Sequence, residues 1–129
     1  RPAPPAAGSA AEDAIVARFV SAYEAADVDG LIALLTDDVF IAMPPVPFEY
    51  EGIEAAARFI GAIFGSGRRF SVVPTRANGH PAIGVYLRTP DAAPVAIGVM
   101  TLTLAGDRVC AMTRFDGGAL PWFNLPATL

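Results

Sequence analysis

In the stretch Ala33-Leu-Leu-Thr-Asp-Asp-Val-Phe-Ile-Ala-Met-Pro44, the pattern of apolar residues changes from that of a helix to that of a strand. Its leucines complete a helical stripe that begins at Leu31, whereas Val39 to Met43 has the character of a short strand. Pro44 and Pro45 end that strand, because proline cannot donate a hydrogen bond to a sheet ladder. The stretch is therefore predicted to be the junction at which helices give way to a sheet.

Two helices are predicted before this junction and one after it. Ser9 and Glu12 have the spacing of a capping box, which opens a helix over about residues 10–26. Asp27 is a suitable cap for a second, shorter helix that stops near Thr36. After a loop over residues 44–52, apolar residues recur at helical spacing and predict a third helix, closed by glycines 65 and 67.

The rest of the domain is predicted to be strands. They span residues 70–77, 82–88, 95–104 and 109–115, with an Asn78-Gly79 turn between the first two. Helices followed by a run of strands are typical of a fold in which helices cover one face of a sheet. We therefore expect an α+β fold, with three N-terminal helices packed on a curved, mainly antiparallel sheet.

The composition indicates one compact domain and argues against several functions. Of 129 residues, 53% are apolar and 17% are charged, which is enough apolar surface for a single core. No apolar run approaches the roughly 18–20 residues of a membrane span, so no membrane contact is expected. The net charge of −4 predicts no direct nucleic-acid binding by this segment. The single Cys110 and the lack of a Cys/His cluster predict a cytoplasmic location and no metal site.

Two terminal segments differ in composition from the rest of the chain. Residues 1–10 contain three prolines and no aromatic residue, which favours an extended linker. Residues 11–116 form the predicted domain, and residues 117–129 form an apolar tail that fits neither a regular helix nor a regular strand. Because the chain starts at Arg1 without methionine and without an apolar signal region, we expect either a fragment of a longer protein or a trimmed chain.

The junction stretch, a third helix after Tyr50-Glu-Gly52 and the strands that follow resemble the SnoaL-like, nuclear transport factor 2-like superfamily over about residues 11–116. The resemblance implies a cone built from a bent sheet and helices, with an apolar pocket at its wide end. The superfamily includes isomerases, cyclases and hydrolases, and also binding or dimerisation modules without activity. The fold alone therefore leaves the function open.

Four segments resemble, more specifically, the C-terminal SnoaL-like extension of bacterial extracytoplasmic-function (ECF) sigma factors. In such factors two helical promoter-binding domains and a linker precede the extension. The resemblance implies a non-catalytic regulatory domain, whose partners are those promoter-binding domains and, through the parent protein, RNA polymerase. The segments are Met43-Pro-Pro-Val-Pro-Phe48, Ala77-Asn-Gly-His-Pro-Ala-Ile-Gly-Val-Tyr-Leu-Arg88, Leu102-Thr-Leu-Ala-Gly-Asp-Arg-Val109 and Leu120-Pro-Trp-Phe-Asn-Leu-Pro-Ala-Thr-Leu129.

The working positions of two enzymes in the superfamily carry unsuitable residues here. In the resemblance to ketosteroid isomerase, Met43 takes the place of the base, Phe19 that of the oxyanion tyrosine and Val99 that of the protonated aspartate. Proton abstraction needs a base and an oxyanion donor, so we predict no catalytic residue of that kind and no cofactor. Limonene epoxide hydrolase needs an Asp-Arg-Asp set, but residues 107–108 lie at a predicted turn and Asp91 in a loop.

A second class of function stays open beside the regulatory one. It is a freestanding SnoaL-like enzyme, of the isomerase, polyketide cyclase or epoxide hydrolase type, acting on a lipophilic small molecule. Other reactive side chains favour structural roles: His80 at a turn, Cys110 as a small buried residue, and Asp37-Asp38 as capping or turn residues. Arg88 and Arg114 face either the pocket or solvent, and a solvated sheet face is the simpler interpretation.

Ten mostly aromatic residues are expected around one cavity of such a fold, and plain core is the simpler interpretation for most of them. Hydroxyl groups from three tyrosines and Thr75 among apolar walls suit a flat lipophilic ligand. Leu35 and Phe64 complete the set of ten. The eight candidate ligand-binding residues are Phe19, Tyr23, Phe40, Met43, Phe48, Tyr50, Phe59 and Tyr86.

The tail has two interpretations that the sequence leaves open. Pro121, Trp122, Phe123 and Leu125 either cover an exposed part of the domain or form a docking patch, since aromatic anchors dominate the energies of interfaces. A homodimer through the outer face of the sheet is a third arrangement for this domain. Deletion of residues 118–129 separates the first two interpretations.

Overall fold

The computed structural model describes residues 1–129. It contains three α-helices, six β-strands and one 3₁₀ helix, with the first two strands placed before the third helix. In chain order these are α1 (Ala10–Glu24), α2 (Val28–Ala33), β1 (Leu35–Met43), β2 (Val46–Glu51), α3 (Ile53–Gly65), β3 (Arg69–Ala77), β4 (His80–Thr89), β5 (Ala92–Ala105), β6 (Arg108–Asp116) and the 3₁₀ helix (Gly117–Phe123).

Both predicted helix caps are present. The Ser9 hydroxyl accepts a hydrogen bond from the backbone N–H of Glu12 at 3.2 Å, and the Glu12 carboxylate accepts one from Gly8 N–H at 3.1 Å. The Asp27 carboxylate accepts from Gly30 N–H at 3.0 Å, at the start of α2. Each cap satisfies a backbone donor that has no partner within the first turn of a helix.

The six strands form one mixed, curved sheet in the order β2-β1-β6-β5-β4-β3. All neighbouring strands are antiparallel except β1 and β6, which run parallel. The sheet is not closed, so β2 and β3 are its two edges. The predicted α+β fold with a curved, mainly antiparallel sheet is therefore confirmed.

Two details of the predicted strands were wrong. The expected loop over residues 44–52 contains β2, which pairs with β1 so that Ile41 lies opposite Tyr50. Pro47 within it, and Pro44 and Pro45 before it, favoured a loop, but an edge strand tolerates proline because one side of its backbone needs no partner. The first strand also starts at Leu35, not at Val39, and Leu35 lies opposite Val109 of β6.

The sheet buries apolar side chains on both faces. Its inner face, which packs against the helices, shares the main core with residues such as Ile15 and Phe19 of α1. Its outer face carries a smaller cluster of Ala82, Tyr86 and Val99, which Leu120 of the tail covers. Successive residues of β4 and β5 point to opposite faces of the sheet, so the same two strands contribute to both clusters.

Both terminal segments contact the sheet domain. The carbonyl of Ala3 accepts a hydrogen bond from Gly106 N–H at 2.9 Å, and Arg1 forms an ion pair with Asp38. The tail, residues 117–129, begins with the 3₁₀ helix and runs over the outer face, where its Ala127 carbonyl accepts a hydrogen bond from Ala96 N–H at 2.9 Å. None of the helices has both the length and the apolar character needed to span a bilayer.

Candidate ligand-binding site

A cavity of about 190 Å³ lies between the helices and the inner face of the sheet. It is larger than the roughly 150 Å³ engineered cavity that takes up benzene, so it has room for one ring or a short chain. Thirteen of its fifteen lining residues are hydrophobic. The lining residues are Phe19, Tyr23, Leu31, Ile41, Met43, Phe59, Ile60, Ile63, Phe64, Arg68, Phe70, Ile97, Met100, Met112 and Arg114.

Tyr23 connects the aromatic side chains of this cavity. Its ring lies 5.3 Å from that of Phe64, 5.4 Å from that of Phe70 and 5.9 Å from that of Phe19. Burial raises the pKa of the Tyr23 hydroxyl to about 12, against a smaller opposing effect of Arg114. The hydroxyl is therefore neutral at physiological pH and available as a hydrogen-bond donor.

Arg114 brings a positive charge to the wall of the cavity. On β6 it follows Met112 by two residues and lies opposite Met100 of β5, so all three side chains are on the inner face. One guanidinium nitrogen donates to the Ile97 carbonyl at 3.3 Å. The guanidinium lies beside Gly98, where a Cβ atom would come within 3.2 Å of the Arg114 Nε.

Arg68 supplies the second charge, from the connection between α3 and β3. The ion pairs of the protein join Arg1 to Asp38 and Arg76 to Glu12, so neither cavity arginine has a carboxylate at ion-pair distance. No carboxylate, imidazole or thiol lines the cavity. The lining thus offers apolar surface, one phenol and two guanidinium groups.

A second depression, the outer cleft, adjoins this cavity. The two share Met43, Ile97 and Arg114 as lining residues, and the outer cleft continues along Pro44 to Val46 and Phe48. Arg114 therefore lies between the enclosed cavity and the more open cleft. Asp116 also borders the cleft, where its carboxylate accepts from Gly118 N–H at 3.0 Å.

Four of the eight candidate ligand-binding residues line the cavity: Phe19, Tyr23, Met43 and Phe59. Tyr50 does not, although it lies on the same face as its strand partner Ile41. Its ring stacks on that of Phe59 at 4.4 Å and is thus separated from the cavity by the Phe59 side chain. Among the hydroxyls expected at the site, only that of Tyr23 belongs to the lining.

The expectation of one shared cavity is wrong for three further candidates, and strand alternation explains two of them. Phe40 precedes Ile41 on β1 and therefore points to the opposite face of the sheet. Tyr86 lies on the outer face, where its hydroxyl donates to the Pro126 carbonyl at 2.7 Å. Phe48, on the edge strand β2, is 60% exposed and borders only the outer cleft.

The other two residues of the original ten also differ in position. Phe64 lines the cavity, whereas Leu35 is buried in the main core away from the lining. Thr75, the other expected hydroxyl, donates to the Phe123 carbonyl at 3.4 Å, under the tail. The cavity therefore contains fewer hydroxyl groups, and more arginine side chains, than the sequence predicts.

The positions compared with ketosteroid isomerase divide between the two faces of the sheet. Phe19 and Met43 line the cavity, but Val99 is buried on the outer face, and its neighbour Met100 lines the cavity instead. The turn residues 107–108 and Asp91 are exposed and lie outside the lining. The enzyme positions that reach the cavity thus carry apolar side chains.

The remaining reactive side chains lie away from the cavity. His80 is exposed at the first position of β4, Cys110 is buried on β6, and Asp37 and Asp38 are exposed on β1. Arg88 donates to the carbonyl of Glu24 at 2.7 Å, at the end of α1. None of them contributes to the lining.

Sequence reasoning missed Arg68 as a cavity residue and favoured solvent for Arg114. The signal for Arg114 was its two-residue spacing from Met112, since alternation puts both on one face of a strand. Arg68 lies in a connection, where no periodicity predicts the direction of a side chain. Its place at the cavity depends on tertiary structure alone.

The four tail residues of interest divide by orientation. Phe123 and Leu125 pack against the outer-face cluster, and Leu125 fills the space above Gly84, which a Cβ atom would occupy. Pro121 and Trp122 point away from the domain, and Trp122 is 87% exposed. The covering interpretation therefore fits Phe123 and Leu125, while only Pro121 and Trp122 are free for docking.

Comparison with known proteins connects this architecture to a protein family. The model of the SnoaL-like domain matches residues 16–120. The ECF RNA polymerase sigma factor SigG of Mycobacterium tuberculosis is 34% identical, in a match that covers 89% of this chain and 32% of that protein. The chain thus spans about a third of the length of this curated relative.

Solved structures share the fold at lower identity. An NTF2-like protein of unknown function from Mesorhizobium loti superposes with a TM-score of 0.70 at 22% identity, covering 88% of this chain and 97% of that one. An LEH-like epoxide hydrolase from M. tuberculosis gives a TM-score of 0.64 at 18% identity, covering 84% and 83%. These likenesses establish the nuclear transport factor 2-like fold.

Proposed function

The chain belongs to the SnoaL-like domain family, and from that premise we propose that it is a non-catalytic regulatory domain of an ECF sigma factor. In this proposal the domain acts in the cytoplasm, where it modulates transcription initiation through contacts with the promoter-binding domains. Contact with RNA polymerase comes through the parent protein. The cavity between the helices and the inner face holds a small, mainly apolar ligand.

The observation that carries the proposal is the 34% identity to an ECF sigma factor over 89% of this chain. The family model, which matches residues 16–120, also includes every residue that lines the cavity. A domain that covers only 32% of that relative leaves the remainder of the longer protein for promoter recognition.

The chemistry of the cavity supports a binding role over an enzymatic one. Proton abstraction, or activation of a water molecule, needs a positioned base, and the lining contains neither a carboxylate nor an imidazole. Its thirteen hydrophobic residues instead favour a ligand with an apolar body. The enzyme alternative would require a base that enters from outside this lining.

The exposed part of the tail supports the proposed contact with other domains. Trp122 is 87% exposed beside the exposed Pro121, although an aromatic side chain gains most when it is buried. Tryptophan is enriched among the residues that dominate interface energies. In the proposal, Trp122 is the anchor for a promoter-binding domain.

A homodimer would have to use surface other than the part of the outer face that the tail covers.

Transcription by the parent sigma factor tests the proposal. RNA polymerase holoenzyme containing the full-length factor is compared with holoenzyme containing the factor without residues 11–129, on a promoter that the factor recognises. The proposal predicts a change in transcript yield at equal holoenzyme concentration. Trp122→Ala in the full-length factor should reproduce part of the change, whereas Val95→Ala, at another exposed apolar residue, should not.

Equal yields from the two holoenzymes, with equal affinity of both factors for RNA polymerase, would contradict the regulatory role. Turnover of a lipophilic epoxide or ketone by the isolated domain would favour the enzyme alternative. In that case substitutions in the cavity, and not in the tail, would abolish the activity.

A further inference from the structure

The charge of the cavity does not match the charge of the chain. The protein has a net charge of −4 and more acidic than basic residues, yet the charged side chains that line the cavity are both arginines. Arg68 is exposed, but Arg114 is partly buried beside apolar residues and has no carboxylate at ion-pair distance to offset its loss of hydration. An anion at this place would provide the missing partner.

The backbone around Arg114 is arranged to hold its guanidinium group at the cavity. A Cβ atom on Gly98 would lie 2.6 Å from the Phe115 carbonyl oxygen and 3.2 Å from the Arg114 Nε, so this close approach requires glycine. One nitrogen of the guanidinium donates to the Ile97 carbonyl. The other N–H groups of the guanidinium lie in the same plane and are free to bind a ligand.

The position of Arg114 indicates which part of a ligand it would contact. It borders both the enclosed cavity and the outer cleft, whereas the aromatic cluster around Tyr23 borders the cavity alone. A molecule with its apolar body among Phe19, Tyr23 and Phe64 would therefore direct its other end toward Arg114. Asp116 of the cleft is already engaged with Gly118 N–H and forms no ion pair with Arg114.

We propose that the ligand is a small amphiphilic carboxylate, with an apolar ring or short chain in the cavity and its carboxylate bound by Arg114. Arg68 adds positive charge at the same cavity, and the neutral Tyr23 hydroxyl is a donor within it. A carboxylate suits Arg114 because two parallel N–H groups of a guanidinium match its two oxygens. This inference rests on the ligand-binding part of the proposed function and specifies the class of ligand.

Titration of the full chain with two matched probes tests the inference. Octanoate carries the carboxylate, and octanamide has the same chain length without the charge. Binding is measured by isothermal titration calorimetry and by NMR shift changes of Tyr23 and Met100, with acetate as a probe for the head group alone. We expect octanoate to bind about tenfold more tightly than octanamide, since a charged hydrogen bond contributes more than a neutral one. Acetate should not bind measurably.

Substitutions test whether Arg114 provides the binding energy for the carboxylate. Arg114→Met should weaken octanoate binding by about tenfold and leave octanamide binding within about twofold, because the guanidinium binds a charged carboxylate more strongly than a neutral amide. Arg114→Lys should recover part of the octanoate affinity. Arg108→Met, at an exposed arginine with the same change in charge, should bind both probes as the parent protein does. Thermal unfolding of each variant establishes that it is folded.

The outcomes separate this inference from the function on which it rests. Equal affinities for octanoate and octanamide, or equal losses of both in Arg114→Met, would overturn the carboxylate and leave an apolar ligand in place. Absence of binding by either probe would overturn the carboxylate and the ligand-binding part of the proposed function together. The sigma-factor role would still stand or fall by the transcription assay.

Discussion

The inner and outer faces of the sheet are supplied by the same strands, and they are covered in different ways. On the outer face, Leu120, Phe123 and Leu125 of the tail pack directly on Tyr86 and its neighbours. On the inner face, the helices pack on the sheet but leave about 190 Å³ unfilled. An equally apolar surface is thus packed against the tail on one side and leaves a cavity on the other, which is the binding site of the proposed function.

Two tyrosines, the fully buried Tyr86 and the partly buried Tyr23, make the difference specific. Burial raises the pKa of both hydroxyls, but that of Tyr86 donates to the Pro126 carbonyl at 2.7 Å, whereas that of Tyr23 lies in the wall of the cavity. Buried polar groups are normally satisfied within the protein. The hydroxyl of Tyr86 follows this rule, whereas that of Tyr23 lies in the cavity lining, where the ligand of the proposed function would contact it.

The largest expected effect comes from removing the cover of the outer face. Deletion of residues 118–129 exposes Tyr86 and removes Leu120, at about 1.5–3 kcal/mol for a fully buried side chain, together with the partly buried Phe123 and Leu125, at somewhat less each. The sum is about 5 kcal/mol, comparable with the whole stability of many domains. We expect a loss of cooperative unfolding, or a fall of the melting temperature by more than about 10 °C.

Trp122→Ala is the matched control for that deletion. Its side chain is 87% exposed, so the stability should change by less than about 0.5 kcal/mol. A truncated chain that melts at the temperature of the full chain would show that the tail is not part of the outer core.

A smaller effect distinguishes the two tyrosines. Tyr86→Phe leaves the Pro126 carbonyl without its donor and should lower the free energy of unfolding by about 1–2 kcal/mol. Tyr23→Phe loses no hydrogen bond within the protein and should change it by less than about 0.5 kcal/mol. Urea unfolding of both variants measures the difference. Equal losses would mean that the two faces satisfy their hydroxyls alike.

The smallest effect concerns the edge of the helical layer, where Glu12 of α1 contacts Arg76 of β3. The hydrogen bond from Arg76 lowers the pKa of the Glu12 carboxyl from its usual 4.5, more strongly than burial raises it. The stability from this pair is therefore complete above about pH 4.5 and is lost as the pH falls through the lowered pKa.

Glu12→Gln should reduce the loss of stability at low pH, since glutamine does not titrate. Melting temperatures between about pH 7 and pH 3 provide the measurement, with Glu54→Gln, the same substitution at an exposed residue of α3, as the control. If the melting temperature of Glu12→Gln falls with pH as much as that of the parent protein, the pH dependence comes from other carboxyl groups.

Local sequence patterns were sufficient for most of the fold and for part of the site. Caps at Ser9 and Asp27, helical periodicity and the Asn78-Gly79 turn are short-range signals, and the helices and strands they predict are present. The edge strand β2 was missed because Pro47 within it and the two prolines before it are typical of loops, although an edge strand tolerates proline.

The site was predicted less completely, because its residues meet through tertiary structure. Aromatic content identified Phe19 and Tyr23, but did not distinguish the face of the sheet on which Tyr86 lies. The parallel pairing of β1 with β6, distant in sequence, brings Met43 and Arg114 to one cavity. No local pattern encodes that pairing.

The central claim is that this domain works as part of a sigma factor, and the mass of the native polypeptide tests it most directly. An antibody raised against the domain is used on extracts of the source cells, with the 13.4 kDa chain as the size standard. The account predicts one product that is much larger than 13.4 kDa and that co-purifies with RNA polymerase. A product of about 13.4 kDa, free of RNA polymerase, would contradict it.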